Sequence, residues 1–394
     1  MNYILFEDSE VSNLNPFTLN HASFEIRCGV YSNLERVHNL LSSQDKLYLI
    51  VRKEIEDIIR ERYPELIVNP KIIPAGLFLN ASTIWNENLI KNFAVNKSYS
   101  SNNNLIAINR NISTELSDFN ELLKNSIQVT LDVDAVHLNY LWDSIFIISD
   151  IILEDSKKIS SSSNYNIDST VIINNKNNVI INENVQINSG VILDASKGPI
   201  ILDRNVVIDI GALIKGPAYI GENSKINLGA KLRGNISIGP VCKIGGELED
   251  VIIQGYTNKQ HDGYLGHSFL GEWINIGANT NNSDLKNNYS NIRINISKDL
   301  EINTLKQFLG VLIGDYTKTG ISTMLNSGTF IGIGANIFGS EFQPKYINSF
   351  KWGKDSKTDF EKFIETCSKV KDRRNKKLSN IEISLLKDIY EICD

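Results

Sequence analysis

The chain is short of the residues that would mark a secreted, metal-clasping or membrane-bound protein. It has four cysteines and eight prolines in 394 residues. Cys28, Cys242, Cys367 and Cys393 stand far apart with no CxxC spacing. That excludes a disulfide framework or zinc knuckle and fits reduced thiols in the cytoplasm. No uninterrupted apolar run approaches the ~20 residues of a membrane-spanning helix. Basic charge is scarce as well: 40 Lys+Arg against 46 Asp+Glu give a net charge of -6, and clusters such as Lys371–Lys377 are short. A nucleic-acid-binding surface would need more. The opening MNYILFEDSE meets acids too soon for an export signal and reads as a buried strand. The expectation is a soluble cytoplasmic protein with two or three domains, because 394 residues exceed one ordinary core.

Three textures follow one another. In residues 1–157, apolar runs at Tyr3–Phe6, Lys46–Val51 and Leu105–Ile108 alternate with helical patterns at Leu34–Leu41 and Glu54–Arg62. That alternation predicts an α/β layer with a largely parallel sheet. A helical stretch at Trp142–Ile152 leads into the Ser/Asn-rich KKISSSSNYN linker. Residues 165–340 are dominated by Ile, Gly and Asn, and residues 341–394 return to helix. There, Thr358-Asp-Phe-Glu361 and Ser379-Asn-Ile-Glu382 have capping-box form, predicting a short helical cap on the end of the middle region.

The middle region has a period of six. Steps from Leu202 give Ile208, Ile214, Ile220, Ile226, Leu232, Ile238 and Ile244, all aliphatic. With roughly one position in four aliphatic, eight in phase arise by chance on the order of once in 10⁵ trials. The residue four further on is small or apolar, from Val206 through Ala212, Ala218, Ser224, Ala230, Ile236 and Cys242 to Leu248. A second run passes through Ile313, Thr319, Leu325, Ile331 and Ile337. Neither helix nor flat sheet has this period. A three-sided parallel β-helix does, with each aliphatic residue aimed at the axis and Gly or Asn at the corners. Two stretches, Asp250–Gly263 and Asn281 to about Lys306, interrupt the pattern, and interruptions are where chemistry is expected.

The motifs Leu232-Arg-Gly, Lys243-Ile-Gly-Gly, Lys259-Gln-His-Asp-Gly-Tyr-Leu-Gly and Ile274-Asn-Ile-Gly-Ala-Asn-Thr resemble the acetyltransferase half of the bifunctional UDP-N-acetylglucosamine pyrophosphorylase/glucosamine-1-phosphate N-acetyltransferase family. LGHSFLGEWINIGANTNNSDLKNNYSNI and INSFKWG resemble the GlmU-like alternative bacterial branch of sugar nucleotidyltransferases. The resemblance implies a left-handed coil, a homotrimer and acetyl-CoA bound between subunits. His261 falls on the family's catalytic histidine, a general base for the attacking amine, with Asp262 able to orient the ring. Arg233 falls on an arginine that contacts the sugar phosphate. Lys259 and Asp284 join it as substrate-binding candidates. Gly277, Ala278 and Asn279 fall where the backbone approaches the acyl-CoA thioester. His267 stands where the family has an acid and reads as structural. A phosphate-binding lysine is missing near Val251, and Asp284-Leu-Lys286 replaces Asn-Tyr-Asp, which opens the choice of acceptor beyond glucosamine 1-phosphate.

In the first domain, Leu14-Asn-Pro-Phe-Thr18 and Glu25-Ile-Arg27 resemble the first loop of sugar nucleotidyltransferases, with Pro16, Thr18 and Arg27 as nucleotide-binding candidates. LFEDSEVSN replaces the Gly-rich phosphate cradle, and Phe78-Leu-Asn-Ala81 lacks the family's metal-binding acid, leaving Asp132 or Asp134 to hold Mg²⁺. The implied fold is a divergent, Rossmann-like nucleotidyltransferase domain. The expected function is acyl transfer from CoA to an amino-sugar phosphate, with nucleotidyl transfer onto a sugar 1-phosphate as a second activity of the first domain. Two alternatives stand: nucleotidyl transfer alone with the coil as scaffold, and a non-catalytic trimeric assembly subunit.

Overall fold

A computed structural model describes residues 1–91, 93–128 and 130–393. The first region builds a seven-stranded sheet in the order Thr130–Asp132, Lys97–Ser101, Asn104–Arg110, Gly76–Asn80, Asn2–Phe6, Lys46–Ile50, Ile67–Val68. Asn2–Phe6 pairs in parallel with Lys46–Ile50 and Gly76–Asn80, whereas Asn104–Arg110 runs antiparallel to its neighbours. Ile4, Leu5, Phe6, Phe78 and Leu79 are fully buried, as strands covered on both faces require.

The six-residue period becomes a stacked coil. Ile208 pairs with Ile226 and Ile226 with Ile244, so three hexapeptides make one turn. All eight aliphatics from Leu202 to Ile244 are at most 1% exposed, and so are their small partners from Val206 to Leu248. One corner takes left-handed backbone on successive turns, at Asn184, Asn205 and Asn223. Asn is among the residues that tolerate this conformation. Its side chains also bond along the column: Asn184 Nδ2 donates to Asn205 Oδ1 (3.2 Å), and Asn205 Nδ2 to Asn223 Oδ1 (3.1 Å). Higher on the same corner Val241, Tyr256, Trp273 and Tyr316 hold positive φ, which is costly for bulky residues.

The two interruptions differ in kind. The first is no excursion. Glu247–Gly255 is one continuous strand that bends across two faces of the coil, and the turn from Lys243 to Asn258 is half a hexapeptide shorter than the one from Lys225 to Lys243. The second is a true excursion: Arg293–Ser297 and Leu300–Asn303 form an antiparallel hairpin whose Ile292 and Ile294 are buried with Leu309 and Phe330. Coil pairing continues beyond 340, through Tyr346–Ile347 and Lys351–Trp352.

The C-terminal helices do not cap the open end, contrary to expectation. Phe360–Asp372 climbs the bulky corner: Phe363 meets Phe350 (5.1 Å between ring centroids), Lys371 lies over Trp273 and Arg374 reaches Asn258. Tyr316, Phe350, Phe363 and Leu386 join the core of the first domain, so the pair is a strap between sheet and coil. Ser379 caps the second helix as expected, but Asp359, not Thr358, caps the first. Among the described residues no helix is long and apolar enough to cross a membrane.

Candidate active site

Coil stacking places His261 in a column. Val207, Lys225, Lys243, Asn258, Asn275 and Lys318 are in register. Three residues onward from each lies the same corner: Ile210, Leu228, Gly246, His261, Ala278 and Ile321. His261 is exposed, and its ring makes no hydrogen bond among the described residues. It sits in a notch, with small Gly246 and Ala278 on adjacent rungs and bulky Leu228 and Ile321 (74% and 77% exposed) beyond them. The structure thus brings His261 beside the acyl-donor candidates. Asn279 N–H donates to Asp262 O (2.8 Å), and Gly277 N–H to Thr319 Oγ1 (2.9 Å). A Cβ on Gly277 would lie 2.5 Å from Gly320 O, so the close approach of these turns requires glycine there.

Arg233 and Asp284 lie on the adjoining face, linked through Glu247 and Tyr264. Arg233 is exposed, with its guanidinium 2.9 Å from Glu247 and 3.3 Å from Glu249. Glu247 pairs with Tyr264 on the next rung, and Tyr264 donates its hydroxyl to Asp284 Oδ2 (2.8 Å). His267 Nδ1 lies 2.8 Å from the same oxygen, and Nε2 3.4 Å from Asp250. Burial alone would raise the Asp284 carboxyl, but hydrogen bonds from His267 and Tyr264 outweigh it and hold the group below its usual range. His267 has φ +44° and stacks on Phe308 at 5.0 Å.

Lys259 does not face substrate. It occupies the axial register beyond Ile187, Ile208, Ile226 and Ile244, a lysine in an aliphatic stack. It is 1% exposed, and its ammonium donates to His261 O. The amine lies so near Gly246 that a Cβ there would be 2.7 Å from it. Burial lowers its pKa to about 8, with Asp262 opposing.

The first domain has a groove of about 840 Å³ beyond the carboxyl ends of the parallel strands, where doubly wound sheets bind ligands. Glu7, Asp8, Glu10, Arg52 and Lys53 line it. Arg52 is partly consumed: Nη1 donates to Glu7 (2.7 Å), and Nη2 reaches Thr18 O and His21 O. None of the expected nucleotide contacts lines this groove. Pro16 and Thr18 are buried, with Thr18 Oγ1 donating to Val11 O (2.9 Å). Arg27 is buried too, bonded to Val30 O and Glu35 beside the Tyr219 ring. In place of a glycine cradle, Ser9–Leu14 is a 3₁₀ helix capped by Asp8. Asp132 and Asp134 are exposed and stand outside the groove lining. The groove offers no converging carboxylate set for a metal ion among the described residues.

Residues 3–164 match the sugar nucleotidyl transferase family. Curated relatives are similar over a shorter stretch. The bifunctional protein GlmU of Methanococcus vannielii is 35% identical over 94 residues, 23% of this chain and 22% of that protein. The bifunctional sugar-1-phosphate nucleotidylyltransferase/acetyltransferase of Sulfurisphaera tokodaii is 32% identical over 99 residues, 24% of each. The chain therefore spans about a quarter of the length of these relatives. A solved UDP-N-acetylglucosamine acyltransferase from Campylobacter jejuni aligns with 60% of this chain and 97% of its own, at 13% identity and a TM-score of 0.23.

Sequence reasoning missed Tyr264, Asp250 and the engaged state of His267. One signal was available: His261 and His267 are one period of the coil apart, so both belong to repeating outward positions.

Proposed function

We propose that the coil transfers an acyl group, acetyl in the simplest case, from CoA to the amine of an amino-sugar phosphate, with His261 as general base. The observation that carries this reading is the notch: an unpaired imidazole on an exposed edge, one rung from Ala278 and Asn279 and close in sequence to the Tyr264–Asp284 pair. The acceptor nitrogen attacks the thioester carbonyl, a C–N bond forms, and the C–S bond breaks. His261 accepts the amine proton and returns it to the departing thiolate. Tyr264 and Asp284 orient the acceptor from the adjoining face, and Gly277, Ala278 and Asn279 line the path of the thioester. The Sulfurisphaera tokodaii relative, named for both nucleotidyl and acetyl transfer, supports pairing this activity with the first domain. On this reading the pair makes a UDP-N-acetylglucosamine-type sugar in the cytoplasm. Nucleotidyl transfer onto a sugar 1-phosphate, with an NTP and Mg²⁺, rests on the family match. The acids Glu7, Asp8 and Glu10 at the groove oppose a triphosphate held in the familiar way.

The test is direct. Full-length protein is incubated with acetyl-CoA, and separately with longer acyl-CoAs, against a panel of amino-sugar phosphates, and free thiol is followed. Release that depends on one acceptor supports the reading, and none with any acceptor or acyl length removes it. A parallel assay with UTP and sugar 1-phosphates, following pyrophosphate, decides the first domain.

The same edge calls for a second copy of the chain. Ile210, Leu228 and Ile321 are 60–77% exposed in one column, and the His261 notch is open on one side. A left-handed homotrimer that packs this edge against a neighbour would bury the column and close the cleft. Leu228→Asp with Ile321→Asp is expected to give monomers by light scattering and to lose acyl transfer. An unchanged oligomer would remove this edge from the interface.

A further inference from the structure

Where the first domain meets the coil, a cluster of buried and half-buried charges does not balance. Glu272 and Asp315 stand on consecutive rungs of the corner that carries Trp273 and Tyr316. Tyr316 N–H donates to Glu272 O (3.0 Å), and Glu272 N–H donates to Asp315 Oδ1 (2.8 Å). Facing them, His21 sets Nε2 2.8 Å from Asp315 Oδ2 and Nδ1 3.2 Å from Glu25 Oε2. Arg62 Nη1 pairs with Glu25 at 2.9 Å and also lies 3.0 Å from His21 Nδ1. Among the groups in direct contact, three carboxylates thus share one permanent cation; Lys371, held by Glu382, and Lys376 and Lys377 line the cavity beyond. A protonated His21 leaves one negative charge over, and a neutral His21 leaves two. Burying such an excess is costly.

Two acceptors at this junction also lack donors. Glu272, half-buried at the edge of a cavity, accepts no side-chain hydrogen bond among the described residues. Asn20 is 2% exposed; its Nδ2 donates to Asp315 (3.0 Å), while its Oδ1 is buried without a partner.

We propose that His21, Glu272 and Asp315 form a divalent-cation site that ties the first domain to the coil. Their ligand atoms lie within 4.8 Å of one another. Bonds of about 2.0–2.2 Å span donors up to roughly 4.4 Å apart, so the side chains need close only by a few tenths of an ångström. A divalent ion with neutral His21 brings the charge of the cluster, including Glu25 and Arg62, to zero. Arg62 Nη1 then gives up its contact with Nδ1 and keeps its bond to Glu25, and Glu25 accepts Nδ1–H from His21, the outer carboxylate that metal-bound histidines commonly have. One imidazole nitrogen with carboxylate oxygens, and Asn20 Oδ1 at hand, suits Zn²⁺ or Mn²⁺. A cavity of about 190 Å³, lined in part by Arg62, Tyr256, Glu272, Asp315 and Lys371, gives an entry path.

The competing arrangement has Glu272 holding a proton and no ion present. To decide, full-length protein stripped with EDTA is titrated with Zn²⁺, and separately with Mn²⁺, against a chromophoric chelator. The expected result is one ion per chain, a higher thermal midpoint on loading, and affinity at least about tenfold weaker in Glu272→Gln, an isosteric neutral change. His21→Gln should weaken binding likewise; should that variant not fold, Glu272→Gln alone decides. No uptake of either ion, or equal affinity in Glu272→Gln, overturns the site.

Discussion

His261→Ala is expected to cut acyl transfer by about 10²–10⁴-fold, the usual contribution of a positioned general base. The loss should fall on kcat, because the imidazole bonds to no group among the described residues and acts only on the proton released during attack. The fold should not notice the change: the ring is exposed and unbonded, and such substitutions usually stay within about 0.5 kcal/mol. Steady-state thiol release and a denaturation curve on the same preparation separate these effects. His267 is the informative control. Its two nitrogens face Asp284 and Asp250, so neither is open to substrate. His267→Asn should raise KM for the acceptor by disturbing Asp284 and Tyr264, while leaving a measurable kcat. Unchanged turnover in His261→Ala, or a larger kcat loss in His267→Asn, would move the base from the corner to the face.

The axis of the coil was legible because one force repeats along it: every sixth side chain must leave water, and only aliphatic residues do so cheaply. That regularity ends where the site begins. Three steps of six from Ile244 land on Asp262, but the residue that stacks on Ile244 is Lys259, because this turn is half a hexapeptide short. The phase slips just before the His261 corner, so no period could show that Lys259 points inward. Asp250, Tyr264, His267 and Asp284 converge from successive turns, and only a register fixed by backbone pairing brings them together. Resemblance by position singled out His261, Ala278 and Asn279, apart in the chain, and the coil makes them neighbours in one column. Resemblance failed for Arg27, whose surroundings are set by Tyr219 and Gln254 of the coil, far along the chain. The strap was misread for a similar reason: its amphipathic pattern said that one face is buried, not against what.

Lys259→Met carries the second large effect, and it should make the protein more stable and less active at once. A lysine whose folded pKa is about 8, against 10.5 when solvated, costs the fold about 3 kcal/mol while both states are protonated. That cost is fully present below pH 8. It is relieved as pH rises from 8 to 10.5, because the unfolded chain then binds the extra proton. Wild-type stability should climb across that window on this account, and the Met variant should show no such climb. Near pH 7 the variant should gain roughly 1–4 kcal/mol, as a flexible apolar chain fills the place between Ile244 and Ile276. Catalysis should move the other way. The ammonium holds His261 O, and without that bond the corner is free to shift the imidazole; misplacement by about 1 Å can cost on the order of 10²-fold. The fall should appear in kcat with little change in acceptor KM, which distinguishes a lysine that positions His261 from one that touches the sugar phosphate. A loss of stability at pH 7, or a rise confined to KM, would show that the amine is not buried in the stack.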